Sequence, residues 1–277
     1  MVNRGNLRQN SGEVNGPLPA PGDVWNPDQY GKFRDERAAP FHDLLALVRR
    51  GERPRVVDLG CGTGELTRVA HQALAARETV GIDSSAAMLA KAAPLSGGGL
   101  SFRPGDIGAF SEDGWDVVLS NAALHWVPDH PALLARLSAL LAPGGQLAFQ
   151  VPANDAHPSH ALAREVAREP AFAGPLGGHV RESPVLEPEA YARLLFRLGF
   201  AEQRVRVEVY AHRLAARDDV VEWVKGTYLT DFQKRLDAAT WERFLARSRE
   251  RLLAALPDER PFLYTYRRVF VWGLWPA

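Results

Sequence analysis

Three glycines two apart, Gly60, Gly62 and Gly64, stand between two acids, Asp58 and Glu65, in the stretch RVVDLGCGTGEL. Glycine at that spacing after a strand lets the backbone turn tightly and approach a ligand with no side chain in the way. The dinucleotide fingerprint G-x-G-x-x-G needs a further glycine at position 65, where this chain has Glu65. A pyrophosphate at this turn would face two carboxylates, a like-charge arrangement, whereas a ligand with cationic groups is favoured. No G-x-x-x-x-G-K-S/T pattern occurs, so a P-loop is excluded. Asp58 either contacts the ligand, directly or through water, or orders the loop by accepting backbone N–H bonds. Cys61 fills the same loop as a small apolar side chain.

Two further acids follow at strand ends. Asp83, nineteen residues after Gly64, closes VGID and can accept both hydroxyls of a ribose. The adjoining Ser84 goes with the same group, and Ser84 or Ser85 can cap the next helix. Met88 on that helix either touches an adenine ring or packs in the core. In GDI, Asp106 can accept from an adenine exocyclic amine, and the Ile107 N–H can reach a ring nitrogen. These strand ends describe an adenosine with a positively charged tail and no diphosphate. S-adenosylmethionine has that chemistry: a sulfonium, an ammonium and a carboxylate. The stretch SNAALHW ends a fourth strand, where the reactive methyl emerges. There the Asn121 carbonyl, followed by Ala122, faces the ammonium, while His125 and Trp126 border the methyl and the acceptor. A hydrogen-bonded structural histidine and a packed tryptophan are the alternatives for the last two.

The motifs VVDLGCGTG, VGIDSS, GDI and SNAALHW resemble, in order, those of class I S-adenosylmethionine-dependent methyltransferases. The segments WNPDQYGKFRDERAAP, WVPDHPALLARLSALLAPGGQLAFQVP, PSHALAREVA and YRRVF resemble the trans-aconitate methyltransferase family. The resemblance spans residues 25–275. It implies a leading segment folded over the cofactor, with Tyr30 covering the methionine tail, Arg37 pairing with its carboxylate and Trp25 beside the substrate. It also implies an acceptor pocket built by the lid and the last strand, with His179, Tyr228, Tyr264 and Tyr266 as candidates. Side chains alternate along a strand, so at most one of Arg267 and Arg268 faces the pocket; Arg267 is taken as that residue. The family pattern carries an arginine shortly after its Gly-Thr pair. This chain has WVKGTYLTDF, with Thr230 and Asp231 there, which weakens the expectation of a tricarboxylate acceptor.

These residues need a frame. From Trp25 to about Gln150, strand-like and helix-like segments alternate: RVVDLG, TVGID, a strand within LSFRPGDI ending near Arg103, WDVVLSN and QLAFQVP, with helices between. HPALLARLSALLAPGG reads as a helix stopped by Pro143-Gly144-Gly145. Such repeats imply an α/β fold with a mostly parallel sheet, helices on both faces, and ligands at the C-terminal strand ends where strand order reverses. After Pro152 the rhythm turns helical, with a strand near 203–214 and a closing strand at 263–275. The expected architecture is a Rossmann-like seven-stranded sheet with a C-terminal helical lid. Residues 1–23 read as a mobile tail, and 24–277 as one domain: a cofactor core at 25–152, lid helices within 153–262, and the closing strand.

With 277 residues, 46% of them hydrophobic, the chain can bury one large core. Lys plus Arg and Asp plus Glu are balanced at 33 each, which argues against sequence-independent nucleic-acid binding. No apolar run is long enough to span a bilayer, and the start lacks a secretory apolar core. The single cysteine permits no internal disulfide and suits a cytoplasmic setting. His157 and His160 lack the companions of a metal site, so none is expected. The expected partner is a small molecule, and the expected state a monomer or homodimer. The expected reaction is methyl transfer to a carboxylate oxygen of a di- or tricarboxylic acid such as trans-aconitate, which needs no base because a carboxylate is already ionised. Two alternatives stay open: an O-, N- or C-methyltransferase of a natural product using His125 as base, and a cofactor-binding protein without catalysis.

Overall fold

The structure is a computed structural model and describes residues 34–277, with side chains from residue 38 onward. The expectations for residues 1–23, Trp25, Tyr30 and the Arg37 side chain therefore lie outside the described residues. Helix α1 (Arg34–Leu45) leads into β1 (Arg55–Leu59), α2 (Glu65–Ala73), β2 (Glu78–Asp83), α3 (Ala86–Ala92), β3 (Leu100–Pro104) and β4 (Trp115–Asn121). Then come α4 (His130–Ser138), β5 (Leu141–Pro152), α5 (Pro158–Arg168), α6 (Pro170–Ala173), α7 (Pro188–Leu198) and β6 (Glu202–Leu214). The chain closes with α8 (Asp218–Lys225), α9 (Thr230–Gln233), α10 (Ala238–Ala255) and β7 (Phe262–Leu274).

The seven strands form one sheet in the order β3-β2-β1-β4-β5-β7-β6. The first five are parallel, and β7 runs antiparallel to both β5 and β6. β1 is buried along nearly its whole length because both sheet faces are covered. Val57 and Leu59 face one cluster with Leu133, Leu134 and Leu137 of α4. Val56 faces the other, with Phe41 and Leu44 of α1 and Ala70 of α2. β6 is one of the two edge strands, with β3 at the other edge, and from Arg206 onward it alternates exposed and covered residues. A third cluster joins α5, α8, α9 and α10 to the Phe262–Tyr266 end of β7. It caps the C-terminal strand ends as a helical lid.

Two local expectations are corrected. The helix expected to run to Pro143 ends at Ser138, and β5 begins at Leu141. Leu141 pairs with Trp115, and pairing resumes only at Gln146 opposite Val117. The residues between them loop out, with Gly144 left-handed at φ +73°. The helical rhythm read after Pro152 is also interrupted: it breaks before Pro170, whose ring forbids a helical Glu169, and that residue is extended at ψ 142°.

Candidate active site

Strand order reverses at β1, which has β2 on one side and β4 on the other. The glycine turn leaves β1 there and folds over the end of β2. Gly60 and Cys61 both donate their N–H to the Ile82 carbonyl, at 2.8 and 3.0 Å. The Gly62 N–H donates to Asp83 Oδ2 at 2.8 Å, and Asp83 Oδ1 accepts from the Ser85 N–H at 2.9 Å. All three glycines are left-handed, but they serve different ends. A Cβ on Gly60 would lie 2.2 Å from Ala123 Cβ, and one on Gly64 would lie 2.6 Å from the Phe102 ring. These two allow close packing of the protein on itself. Among the described residues, a Cβ on Gly62 would meet nothing within 4 Å. Gly62 alone opens onto free space, the cradle a ligand needs.

Asp58 is buried beneath this turn. Its Oδ2 accepts the Thr67 hydroxyl at 2.6 Å, and its Oδ1 has no partner among the described residues. Burial pushes its carboxyl up to about 6. Burial, with Asp58 and Asp83 nearby, also pushes the Cys61 thiol far up, so Cys61 is an inert filler. Ser85, not the exposed Ser84, caps α3 by accepting from the Met88 N–H at 3.2 Å, and Met88 itself is buried. Asp106 is exposed and binds the Gly108 N–H. Its loop is pinned from α4 by Arg136, which donates to the Ile107 and Phe110 carbonyls at 2.9 and 2.7 Å. Arg136 escaped the sequence reading because only the fold brings α4 beneath this loop.

The donor set fits S-adenosylmethionine. Asp83 keeps lone pairs for two ribose hydroxyls, the orphaned Asp58 oxygen suits an ammonium, and the turn carries no cation for a pyrophosphate.

The end of β4 turns sharply at Ala122, whose φ of +52° is unusual for a residue with a side chain. The Ala122 N–H donates to the Gln150 carbonyl at 3.0 Å, and Gln150 Nε2 donates to Asn121 Oδ1 at 2.6 Å. This kink presents His125 and Trp126 to a solvent-open cleft between the C-terminal edge of the sheet and the lid. Trp223, Tyr228 and Tyr266 supply aromatic walls, and two arginines supply charge. Arg181 is 8% exposed and Arg268 4%. The Arg181 guanidinium lies 3.9 Å from the Trp126 ring centre and 4.8 Å from that of Tyr228, and donates to the Tyr228 carbonyl at 3.3 Å. Burial draws its pKa down, against the pull of Tyr228, Asp231 and Asp155. Arg268 Nη1 donates to Gln150 Oε1 at 3.0 Å.

His125 Nδ1 is buried with no partner among the described residues. Burial, then the charges of Arg181 and Arg268, hold its pKa well below the usual histidine range, so the ring is neutral. His160, also buried, faces Tyr228 at 4.1 Å between ring centres and shares a hydrogen bond with Ser159 Oγ at 3.0 Å.

Of the expected acceptor residues, His125, Trp126, Tyr228 and Tyr266 line the cleft. Three do not. Tyr264 is fully buried behind the wall, with its hydroxyl 3.4 Å from Ser159 Oγ. Arg267 is exposed on the opposite face, 3.9 Å from Glu187, and Arg268 takes the inward place. His179 pairs outside the cleft with Asp231 Oδ2 at 2.7 Å. Arg181, His160 and Trp223 are lining residues that sequence reasoning missed. Among the described residues no three His, Cys, Asp or Glu side chains group as metal ligands.

Sheet order, glycine turn and paired strand-end acids are those of an S-adenosylmethionine-dependent methyltransferase. A methyltransferase-domain family matches residues 30–203. The YcgJ protein from Bacillus subtilis has a similar fold, with a TM-score of 0.56 at 14% identity over 87% of this chain and 99% of that one. Two relatives named trans-aconitate 2-methyltransferase are similar in sequence. The one from Deinococcus radiodurans is 47% identical over 89% of this chain and 96% of its own length. The one from Streptomyces avermitilis is 42% identical over 91% and 97%. The chain belongs to the trans-aconitate 2-methyltransferase family.

Proposed function

We propose that the protein methylates a carboxylate oxygen of trans-aconitate, giving a methyl ester. The observation that carries this reading is Arg181, a buried guanidinium at the cleft with no carboxylate bonded to it among the described residues. A buried charge without an opposite partner is costly, and a polyanionic acceptor relieves that cost. Arg268 adds a second cation, so two carboxylates of one acceptor can be held while a third reacts. The cation missing at Thr230 and Asp231 is compensated by these two arginines.

S-adenosylmethionine supplies an electrophilic methyl on a good leaving group. Asp83 holds the ribose hydroxyls, Asp58 faces the ammonium, and the Gly62 opening admits the methionine tail. Asp106 and Ile107, kept in place by Arg136, take the adenine edge. Arg181 and Arg268 orient the acceptor, and such positioning contributes about 7–11 kcal/mol in well-aligned systems. Trp126, Trp223 and Tyr266 strip water from the reacting oxygen. A carboxylate needs no deprotonation, which agrees with a His125 too weakly basic to serve as general base. We read the acceptor as a small molecule, the setting as cytoplasmic and the acting unit as a monomer or homodimer, without nucleic acid. No helix of the described residues is long and apolar enough to cross a membrane.

The test is turnover of labelled S-adenosylmethionine with trans-aconitate, other di- and tricarboxylates, phenols and amines. A base-labile product from trans-aconitate is expected. Turnover confined to phenols or amines overturns the reading. The Arg181→Met variant should raise the trans-aconitate KM by about 10- to 100-fold.

A further inference from the structure

The segment that delivers Arg181 begins with two left-handed glycines, Gly177 and Gly178, at φ +60° and +74°. Among the described residues a Cβ at either would meet nothing within 4 Å, so side-chain packing from them gives the backbone no hold there. Three side-chain hydrogen bonds tie the chain immediately beyond to the stretch from Tyr228 into α9, the longest being the Tyr228 hydroxyl donating to the Arg181 carbonyl at 3.5 Å. Arg181 Nη1 meets the Tyr228 carbonyl at 3.3 Å, a long bond from the very group that must be free to meet an acceptor. His179 Nε2 meets Asp231 Oδ2 at 2.7 Å, a short bond between two half-buried side chains, neither of which lines the cleft. The second oxygen of Asp231 lies 3.6 Å from Arg235 on the next turn, which fixes the carboxylate's orientation. The short tie is therefore two residues from Arg181, and the two long ones are made by Arg181 itself.

We infer that His179 and Asp231 are a positioning pair: their contact fixes the segment from which Arg181 reaches the cleft, and so sets acceptor affinity without entering the transfer step. The inference rests on Arg181 being the acceptor's anchor. Without the pair, the glycine-led segment samples more conformations, and each encounter with the acceptor must first restore the bound one. The cost falls on acceptor binding. Cofactor binding, built on β1, β2 and the loop after β3, stays intact.

Steady-state kinetics on the full chain test this, with trans-aconitate and S-adenosylmethionine varied separately. Asp231→Leu and His179→Leu should each raise the acceptor KM about 5- to 20-fold, and the double variant should be no worse than either single one. The S-adenosylmethionine KM and kcat should move less than about twofold, since remote sites do not couple. Asp231→Asn keeps an oxygen that accepts from His179 and should restore the acceptor KM to within about threefold of wild type. In an Arg181→Met background, Asp231→Leu should raise the acceptor KM no further; a merely structural role would still do so. An unmoved acceptor KM in both leucine variants, or a rise that persists without Arg181, overturns the inference. Asp231→Ser serves in place of the leucine variant if melting shows that Asp231→Leu does not fold. If Arg181→Met alone leaves the acceptor KM unchanged, the acceptor assignment itself has failed, and that outcome is separately visible.

Discussion

The Gly62 N–H and the Asp83 carboxylate are joined at 2.8 Å, so the acid at the end of β2 organises the turn at the end of β1. The Ser85 N–H occupies the other Asp83 oxygen. One side chain thus sets the turn and the start of α3, and in the proposed cofactor site it would set the ribose position as well. Replacing Asp83 by Asn turns one oxygen into a donor facing a backbone donor. Charge-assisted bonds of this kind contribute about 1.5–3 kcal/mol each. The expected loss of S-adenosylhomocysteine affinity is about 10- to 150-fold, from one such bond. Calorimetry checks it, and a dissociation constant within threefold of wild type would remove Asp83 from the cofactor site.

Asp58 gives a pH signature. Its carboxyl is pushed up to about 6 by burial, so the free protein holds it ionised only above that pH. An ammonium ligand binds the ionised form. The affinity for S-adenosylhomocysteine should therefore fall by about tenfold per pH unit below 6. In the free protein the sign is opposite. A carboxyl raised on folding favours the fold below its unfolded pKa near about 4, and that contribution is lost as pH rises through the folded value. The gap in Tm between ligand-bound and free protein should widen from pH 5 to pH 7. In Asp58→Asn the gap should be smaller and flat across that range; an equally wide, pH-dependent gap in the variant would place the titrating group elsewhere.

The proposed cofactor half of this site is legible in the chain because its acids and glycines sit at strand ends within local motifs. β1 announces itself by a buried apolar run, and the turn after it by glycines. What the motif cannot say is which glycine faces ligand: Gly60 and Gly64 answer to Ala123 and Phe102, partners that only the packed sheet reveals. The acceptor half is less legible. Arg181 lies in a stretch without helical or strand period, and its burial comes from the lid folding back over Trp126. Arg268 was within reach. Alternation along β7 places it with Tyr264 and Tyr266, and the odd-numbered Arg267 on the other face. The register with β5, Pro152 opposite Arg268, fixes that parity in the fold.

His125 separates the two chemistries left open by the sequence. A general base works best with a pKa near the operating pH, and burial together with two arginines holds this imidazole well below its usual range. His125→Asn should therefore keep kcat with trans-aconitate to within about tenfold, whereas loss of a working base costs about 10²- to 10⁴-fold. Single-turnover rates at saturating S-adenosylmethionine make the measurement. A drop beyond a hundredfold with normal acceptor affinity would restore His125 as the base and argue for a protonated nucleophile.

Gly60→Ala and Gly62→Ala should fail in different ways, although the residues are two apart and both left-handed. At Gly60 the new methyl meets Ala123 Cβ at 2.2 Å, a contact that forces the turn away from the end of β4. Overpacking of this kind costs about 1–3 kcal/mol, added to the backbone strain of about 1 kcal/mol for a left-handed alanine. The free protein should melt several degrees lower. At Gly62 the methyl meets nothing among the described residues, so only the backbone strain remains and Tm should change little. The same methyl then stands in the space assigned to the methionine tail. S-adenosylhomocysteine affinity should fall by at least about tenfold, the scale of a steric clash costing more than 1.4 kcal/mol. Melting curves and calorimetry on the two variants decide the matter. If Gly62→Ala binds the ligand as wild type does, the tail does not run past this turn, and the placement of the cofactor along the β1–β2 edge is wrong.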